Sequence, residues 1–272
     1  RKPRYSSGYY RPPPRPTTVG KSYACMQAAT SEIPLDHETP PAVKIEVYSD
    51  TICPWCYVGF ARLQQALAAR PGVPVDLAWL PFELNPDLPP EGEDRKAYML
   101  RRFGDVNRFA AGQRQLLDLG ATLGIDFQFD RVSRAPNTRR SHALIRWAGE
   151  ADATLQTRVK ERVLRAHFTE GRDIADPDAL ADLAVDVGLD RAAARRALDD
   201  PARRVEIEAL ETQAQRWGIS GVPTFIFERR YAFSGAQPLE VFLGAIDQVA
   251  AEAAQAAPGS GAAAAQDPSR AG

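Results

Sequence analysis

The chain has 272 residues, 44% of them hydrophobic and 25% charged, with a formal net charge of -1. That is enough for a sizeable core in one domain or two, and a charge balance that gives no reason to bind nucleic acid or a membrane surface. Three cysteines are too few for a disulfide-stapled secreted scaffold and point to a reducing compartment, taken here as the cytoplasm.

Residues 1–41 are rich in Pro, Arg, Ser and Tyr, and all six charges before Cys25 are basic. A segment of this kind forms no packed core and is expected to be a disordered tail. Its Arg11-Pro12-Pro13-Pro14-Arg15-Pro16 run favours polyproline II; a solvated tail is preferred to an SH3 ligand as its role. It has no apolar stretch of secretory-signal length, and no run in the chain approaches the roughly 18 apolar residues of a membrane span. Cys25 reads as a spectator thiol. Residue 1 is Arg, so Met26 is a candidate initiator.

From Val43 the pattern alternates: Val43, Ile45 and Val47 against Lys44, Glu46 and Tyr48, the period of a strand. Asp50-Thr51-Ile52-Cys53-Pro54-Trp55-Cys56 follows, and then Cys56, Phe60, Leu63 and Leu67 at helical spacing up to Pro71-Gly72. Val75, Leu77 and Trp79 alternate again, which completes a βαβ unit.

Beyond Pro89-Pro90-Glu91-Gly92 helical patterning takes over. It predicts helices over Arg95–Phe103, Val106–Leu123, Arg139–Gly149, Ala153–Phe168, Asp178–Val187 and Arg191–Leu198, with a short extended piece at Ile125–Phe129. Asp176 before Pro177, and Asp190 after Gly188, are explicit helix starts. A helix over Arg203–Trp217 comes next, then Gly221-Val222-Pro223-Thr224-Phe225-Ile226-Phe227, a strand with proline at its entrance. Tyr231 and Phe233 predict a paired strand after the Glu228-Arg229-Arg230 turn. Pro238 opens a last helix with Leu239, Phe242, Ile246 and Val249 on one face, and the chain drifts into Ala, Gly, Pro and Ser from Ala250.

Two thiols three residues apart at a helix start suit dithiol–disulfide chemistry. The unpaired amides and dipole of the helix favour a thiolate at Cys53, the expected nucleophile, while Cys56, one turn in, resolves the mixed disulfide. Pro54 fits the first helical position. A zinc site is disfavoured, because beyond this pair the chain offers only Cys25, His37, His142 and His167. No metal site is expected.

The order strand, helix, strand, long helical stretch, strand, strand, helix is that of an α/β thioredoxin fold with an inserted all-helical subdomain. On this reading residues 42–88 and 200–252 form the thioredoxin-like domain, 89–199 the insertion and 253–272 a disordered tail. Cys53-Pro54-Trp55-Cys56-Tyr57-Val58-Gly59, Pro81-Phe82-Glu83-Leu84-Asn85-Pro86, Pro136-Asn137-Thr138, Gly218 to Phe225 and Ser234 to Pro238 together resemble the FrnE-type branch of the DsbA-family thiol-disulfide oxidoreductases, over Val43 to Ala250. The resemblance implies a cis Val222-Pro223 bond, Pro223 against the Cys53 sulfur, and a backbone edge at Val222 and Thr224 that pairs with a substrate peptide. It places an acid at Asp50 as a proton relay for Cys56, with a surface turn residue as the alternative. It also brings Asn137, Thr138 and His142 towards the cleft, with helix capping as the alternative for Asn137 or Thr138. Pro54 and Trp55 would meet the substrate. The expected partners are thiol- or disulfide-containing proteins or low-molecular-weight thiols, with no bound cofactor and glutathione as a candidate redox partner. The chain is expected to be a monomer or homodimer. The competing reading is a glutathione-dependent isomerase or transferase of the 2-hydroxychromene-2-carboxylate isomerase or kappa-class type. Those similar proteins have Ser where this chain has Cys53.

Overall fold

The computed structural model describes residues 42–104 and 106–256. The basic leader with its Pro-Arg run, Cys25 and Met26, and the segment after Ala256, lie outside the described residues.

Strand β1 (Val43–Ser49) leads through the cysteine turn into α1 (Pro54–Ala68) and back to β2 (Val75–Pro81). β1 and β2 pair in parallel, with Ile45 beside Leu77 and Val47 beside Trp79. Then come β3 (Glu93–Asp94), α2 (Arg95–Phe103), α3 (Val106–Leu123), a 3-10 turn at Phe129–Arg131, β4 (Arg134–Ala135), α4 (Arg139–Ala151), α5 (Ala153–Phe168), α6 (Pro177–Asp186), α7 (Arg191–Leu198) and α8 (Pro201–Arg216). β5 (Thr224–Phe227), β6 (Tyr231–Ser234) and α9 (Leu239–Ala256) close the chain. The sheet runs β2-β1-β5-β6, with β5 antiparallel to both neighbours.

The period-two pattern of β1 divides between two cores. Val43, Ile45 and Val47 join the main cluster with Phe225, Phe227, Phe242 and Ile246 on the α1 and α9 side. Tyr48 joins Leu80, Ile226 and Ala214 in a second cluster under α8. Glu46 lies on that second side, buried, and its carboxylate is held by a two-point bond from Arg229 at 2.7 and 2.8 Å. The β5–β6 turn has positive φ at Glu228 (53°) and Arg229 (52°). That geometry matches the twist of a hairpin but strains side-chain-bearing residues. It is offset here by the Arg229–Glu46 pair and by the Lys44 N–H donating to Glu228 at 2.6 Å.

Several boundaries differ from those expected. α8 begins at Pro201, because Asp200 accepts from the Ala202 N–H and Pro201 fills the first turn, the same signature seen at Asp176-Pro177. α9 continues to Ala256, beyond the tail expected from 253, since its Ala, Glu and Gln residues are good helix formers. Ile125–Phe129, expected as a short extended piece, pairs with no strand among the described residues and runs into the 3-10 turn at Phe129, and its alternating Ile125, Phe127 and Phe129 feed the core. Phe127 stacks on Phe129 at 5.0 Å and meets Phe168 edge-on at 5.6 Å. The two-residue β3–β4 ladder had no periodic signal of its own.

Candidate active site

The site forms where β1 ends. Cys53 is the N-cap of α1 with extended φ and ψ, Pro54 occupies the first turn, and Cys56 points inward one turn later. Cys53 is 7% exposed and Cys56 1%. Both are free thiols. Opposite them lies the entrance to β5: the Val222–Pro223 peptide bond is cis, and the Cys53 Sγ donates to the Val222 carbonyl at 3.7 Å. α1 and this loop approach closely because residue 59 has no side chain. A Cβ on Gly59 would fall 2.9 Å from the Phe225 ring and 3.0 Å from the Pro223 ring. Thr224 fixes the loop from its far side, its hydroxyl donating to the Gly221 carbonyl at 2.8 Å and pairing with Ser234 at 2.8 Å.

The turn between β1 and α1 is tied to the inserted helices. The Thr51 and Ser141 hydroxyls are 2.7 Å apart. Asp50 is fully buried, which removes the surface-turn reading. Its carboxylate accepts from the Thr51 N–H at 2.6 Å and the Leu84 N–H at 2.7 Å, and stands 3.4 Å from His142 Nε2. Burial opposes its charge, but the bond and charge of His142, the Leu84 amide and Lys160 outweigh this and hold the carboxyl below its ordinary range.

The two thiols titrate as one pair. The hydrogen bond with Cys56, burial and the Asp50 carboxylate push the Cys53 thiol well above its ordinary value. Burial also opposes a Cys56 anion, yet the Cys53 thiol, the Lys160 ammonium, the Ser49 hydroxyl and the Asp50 N–H together pull Cys56 below the ordinary value. The two sulfurs share one hydrogen bond, so the first proton lost belongs to the pair.

A cavity of about 470 Å³ opens beside Cys53. Cys53, Pro54 and Trp55 form one wall. Tyr98 and Met99 of α2, Leu116 of α3, and Phe129 and Phe168 form the apolar remainder, with His167 and the arginines 95 and 134 supplying polar points. A concave, mostly apolar pocket with few polar groups is the usual form of a small-ligand site. His142 does not reach it: it is buried behind Asp50. Asn137 lies along a second hollow between α4 and α8. There it donates to the Leu88 carbonyl at 2.9 Å and accepts from the Arg139 N–H at 3.0 Å, so the capping role is the one realised. Thr138 makes no side-chain cap bond.

Residues 44–247 match the family described as DSBA-like thioredoxin domain, a span that takes in all four strands of the main sheet. The chain belongs to this family. It is 33% identical over 205 residues to YwbO of Bacillus subtilis, covering 75% of this chain and 96% of YwbO. It also resembles the solved structure of a probable DsbA oxidoreductase from Streptomyces coelicolor, with a TM-score of 0.68, 33% identity, and coverage of 77% and 91% of the two chains. The fold is shared with the cytosolic disulfide reductase DsbM from Pseudomonas aeruginosa, solved with GSH, at a TM-score of 0.52 and 24% identity over 78% and 98% of the two chains.

Within this DsbA-like chain sequence reasoning missed Lys160 and Ser49. For Lys160 a signal was present: the buried stripe of α5 reads Gln156, Val159, Lys160, Val163, Leu164, His167, three polar residues at helical core positions.

Proposed function

We propose that the protein is a thiol–disulfide oxidoreductase of the FrnE-type branch in which Cys53 attacks the substrate disulfide and Cys56 resolves the intermediate. The observation that carries this reading is the division of the pair: Cys53 lines the cavity, whereas Cys56 lies beneath it at 1% exposure. Cys53 gives up the first proton of the pair and its sulfur attacks one sulfur of the substrate disulfide. The other substrate sulfur leaves as a thiolate. Cys56 then loses its own proton and attacks Cys53; the Cys53–Cys56 bond forms and the second substrate thiolate leaves. The two protein sulfurs carry both electrons, so the reaction calls for no bound cofactor, and glutathione is a suitable low-molecular-weight partner. Asp50, buried three residues before Cys53, is the acid placed to assist proton transfer at Cys56.

The apolar cavity favours a substrate with an apolar group next to its sulfur, packed against Trp55, Met99 and Leu116. Most of that wall comes from residues 89–199, which makes the helical insertion the selecting element. Val222 and Thr224 offer the backbone edge for a peptide substrate. A reducing compartment, the cytoplasm, suits a centre that must be re-reduced by soluble thiols.

The test is trapping. Cys56→Ser incubated with oxidised glutathione is expected to accumulate one mixed disulfide, mapped by mass spectrometry to the peptide that carries Cys53, while Cys53→Ser gives none there. An adduct confined to Cys25, or disulfide exchange that persists in Cys53→Ser, would overturn the assignment. Glutathione-dependent isomerisation surviving in Cys56→Ser, with no disulfide exchange in the wild type, would favour the isomerase reading instead.

A further inference from the structure

The polar groups in the wall of the cavity beside Cys53 differ in what they leave open to a ligand. Asn85 accepts from the Tyr98 hydroxyl at 2.9 Å, Arg95 donates to the Phe129 carbonyl at 2.7 Å, and Arg134 donates to the Glu91 carbonyl at 2.6 Å and faces Asp173 at 3.8 Å. Asn85 Nδ2 and His167 Nδ1 are sealed inside the wall. Gln113 is neither engaged nor sealed. It lines the same cavity from α3, is half-buried, and its carboxamide makes no hydrogen bond among the described residues. Leu116, 6% exposed, and Gly120, where a Cβ would fall 2.6 Å from the Phe127 ring, mark the inward stripe of α3; Gln113 lies one turn before them on it. The space beside it is open, since a Cβ on Gly112 would meet nothing within 4 Å.

What a carboxamide takes up when it is not solvated is visible elsewhere in the molecule. The N–H and carbonyl of one residue in an extended strand point the same way. At Trp79 the Gln156 side chain meets both, accepting from the N–H at 2.9 Å and donating to the carbonyl at 3.2 Å. A charged ligand would use half of such a group, because a carboxylate has no donor for Oε1 and an ammonium no acceptor for Nε2. Extended peptide uses both halves.

We propose that Gln113 is a specificity-determining residue of the cavity, whose carboxamide pairs with the main-chain N–H and carbonyl of a residue flanking the substrate cysteine. The inference rests on the dithiol reading above and names the substrate class of that site, disulfides carried by extended peptide. Side chains of the flanking residues then meet the apolar wall at Met99 and Leu116. Loss of one of the two hydrogen bonds costs about tenfold in kcat/KM.

The experiment compares the symmetrical disulfides of three capped tripeptides: acetyl-Leu-Cys-Leu-methylamide and the two analogues in which one leucine is replaced by its hydroxy acid. Each replacement turns a single N–H into an ester oxygen at nearly unchanged shape. The full chain reduces them with glutathione as electron donor, and each rate is divided by that of the uncatalysed exchange with glutathione, which cancels the intrinsic reactivity of the disulfide. For wild type, kcat/KM is expected to fall about tenfold for one of the two esters. For Gln113→Met, of similar length and helix propensity, the three peptides should agree within about twofold. Gln113→Ala makes the same comparison if methionine overfills the wall. Equal rates for all three peptides in wild type, or an amide preference that survives in both variants, overturns the proposal. Exchange with oxidised glutathione but with none of the peptides also overturns it and leaves the dithiol reading standing. Absence of exchange with every disulfide refutes the dithiol reading itself.

Discussion

His167 offers a measurement of how dry the cavity wall is. It is 5% exposed, its Nδ1 has no hydrogen-bond partner, and its ring lies edge-on to Phe168 at 4.7 Å. Burial, followed by the nearby positive charge of Arg95, lowers its pKa from 6.5 to about 4. The folded chain therefore refuses a proton that the unfolded chain accepts. Stability is fully present above pH 6.5 and is lost as pH falls towards 4, at up to 1.36 kcal/mol per unit. At pH 4.5 the accumulated loss from this one residue is about 2.5 kcal/mol. His167→Gln keeps an N–H for the Arg172 carbonyl and removes the titration. Urea unfolding of the reduced proteins at pH 7.5 and pH 4.5 reads the difference. The variant should gain on wild type by that amount as the medium is acidified, a midpoint shift on the order of 1 M. Parallel pH profiles for the two proteins would refute the claim that His167 is buried uncharged.

The same experiment with opposite chemistry applies to Asp50→Asn, whose amide meets the Leu84 or Thr51 N–H donor to donor. The expected loss is about 2–3 kcal/mol at pH 7. Because the folded carboxyl sits below its ordinary value, that gap should close as pH drops below about 3.8, and a gap independent of pH would contradict the assignment. Gln156→Leu leaves the Trp79 N–H and carbonyl without the side-chain amide that meets them at 2.9 and 3.2 Å, on the edge strand of the sheet. Hydrogen exchange at the Trp79 amide should accelerate at least tenfold while that at the Val47 amide, inside the sheet, stays unchanged.

Those residues also show what was readable without coordinates. The bounds of α2, α3, α5 and α7 follow from apolar spacing and caps, because these helices obey local rules: Asp94, Asp152 and Asp190 each accept from an N–H of the first turn. The Cys pair at the strand–helix junction was legible for the same reason. The surroundings of the pair were not. Lys160, about a hundred residues from Cys56 in sequence, is brought to the Ser49 carbonyl only by the packing of α5 on β2 and α1. Nor was the cavity legible, since its walls come from α1, α2, α3 and α5 together. His142 and Asn137 were drawn towards the right region by their motif but face away from the cavity, one into Asp50 and the other into the α4 start.

A thioredoxin-type sheet alone would present the cysteines at a helix start and leave their charge to the helix dipole, worth about 0.3–1 kcal/mol when exposed. Here the insertion adds to that arrangement. Its α5 buries Lys160 against the Ser49 carbonyl, at the end of the strand that leads into the cysteine turn. The same helix ends at His167 and Phe168, which line the cavity above Cys53. One element thus reaches both the strand end that leads into the cysteine turn and the wall of the cavity, so a change in the seating of α5 would disturb the redox pair and its substrate preference together.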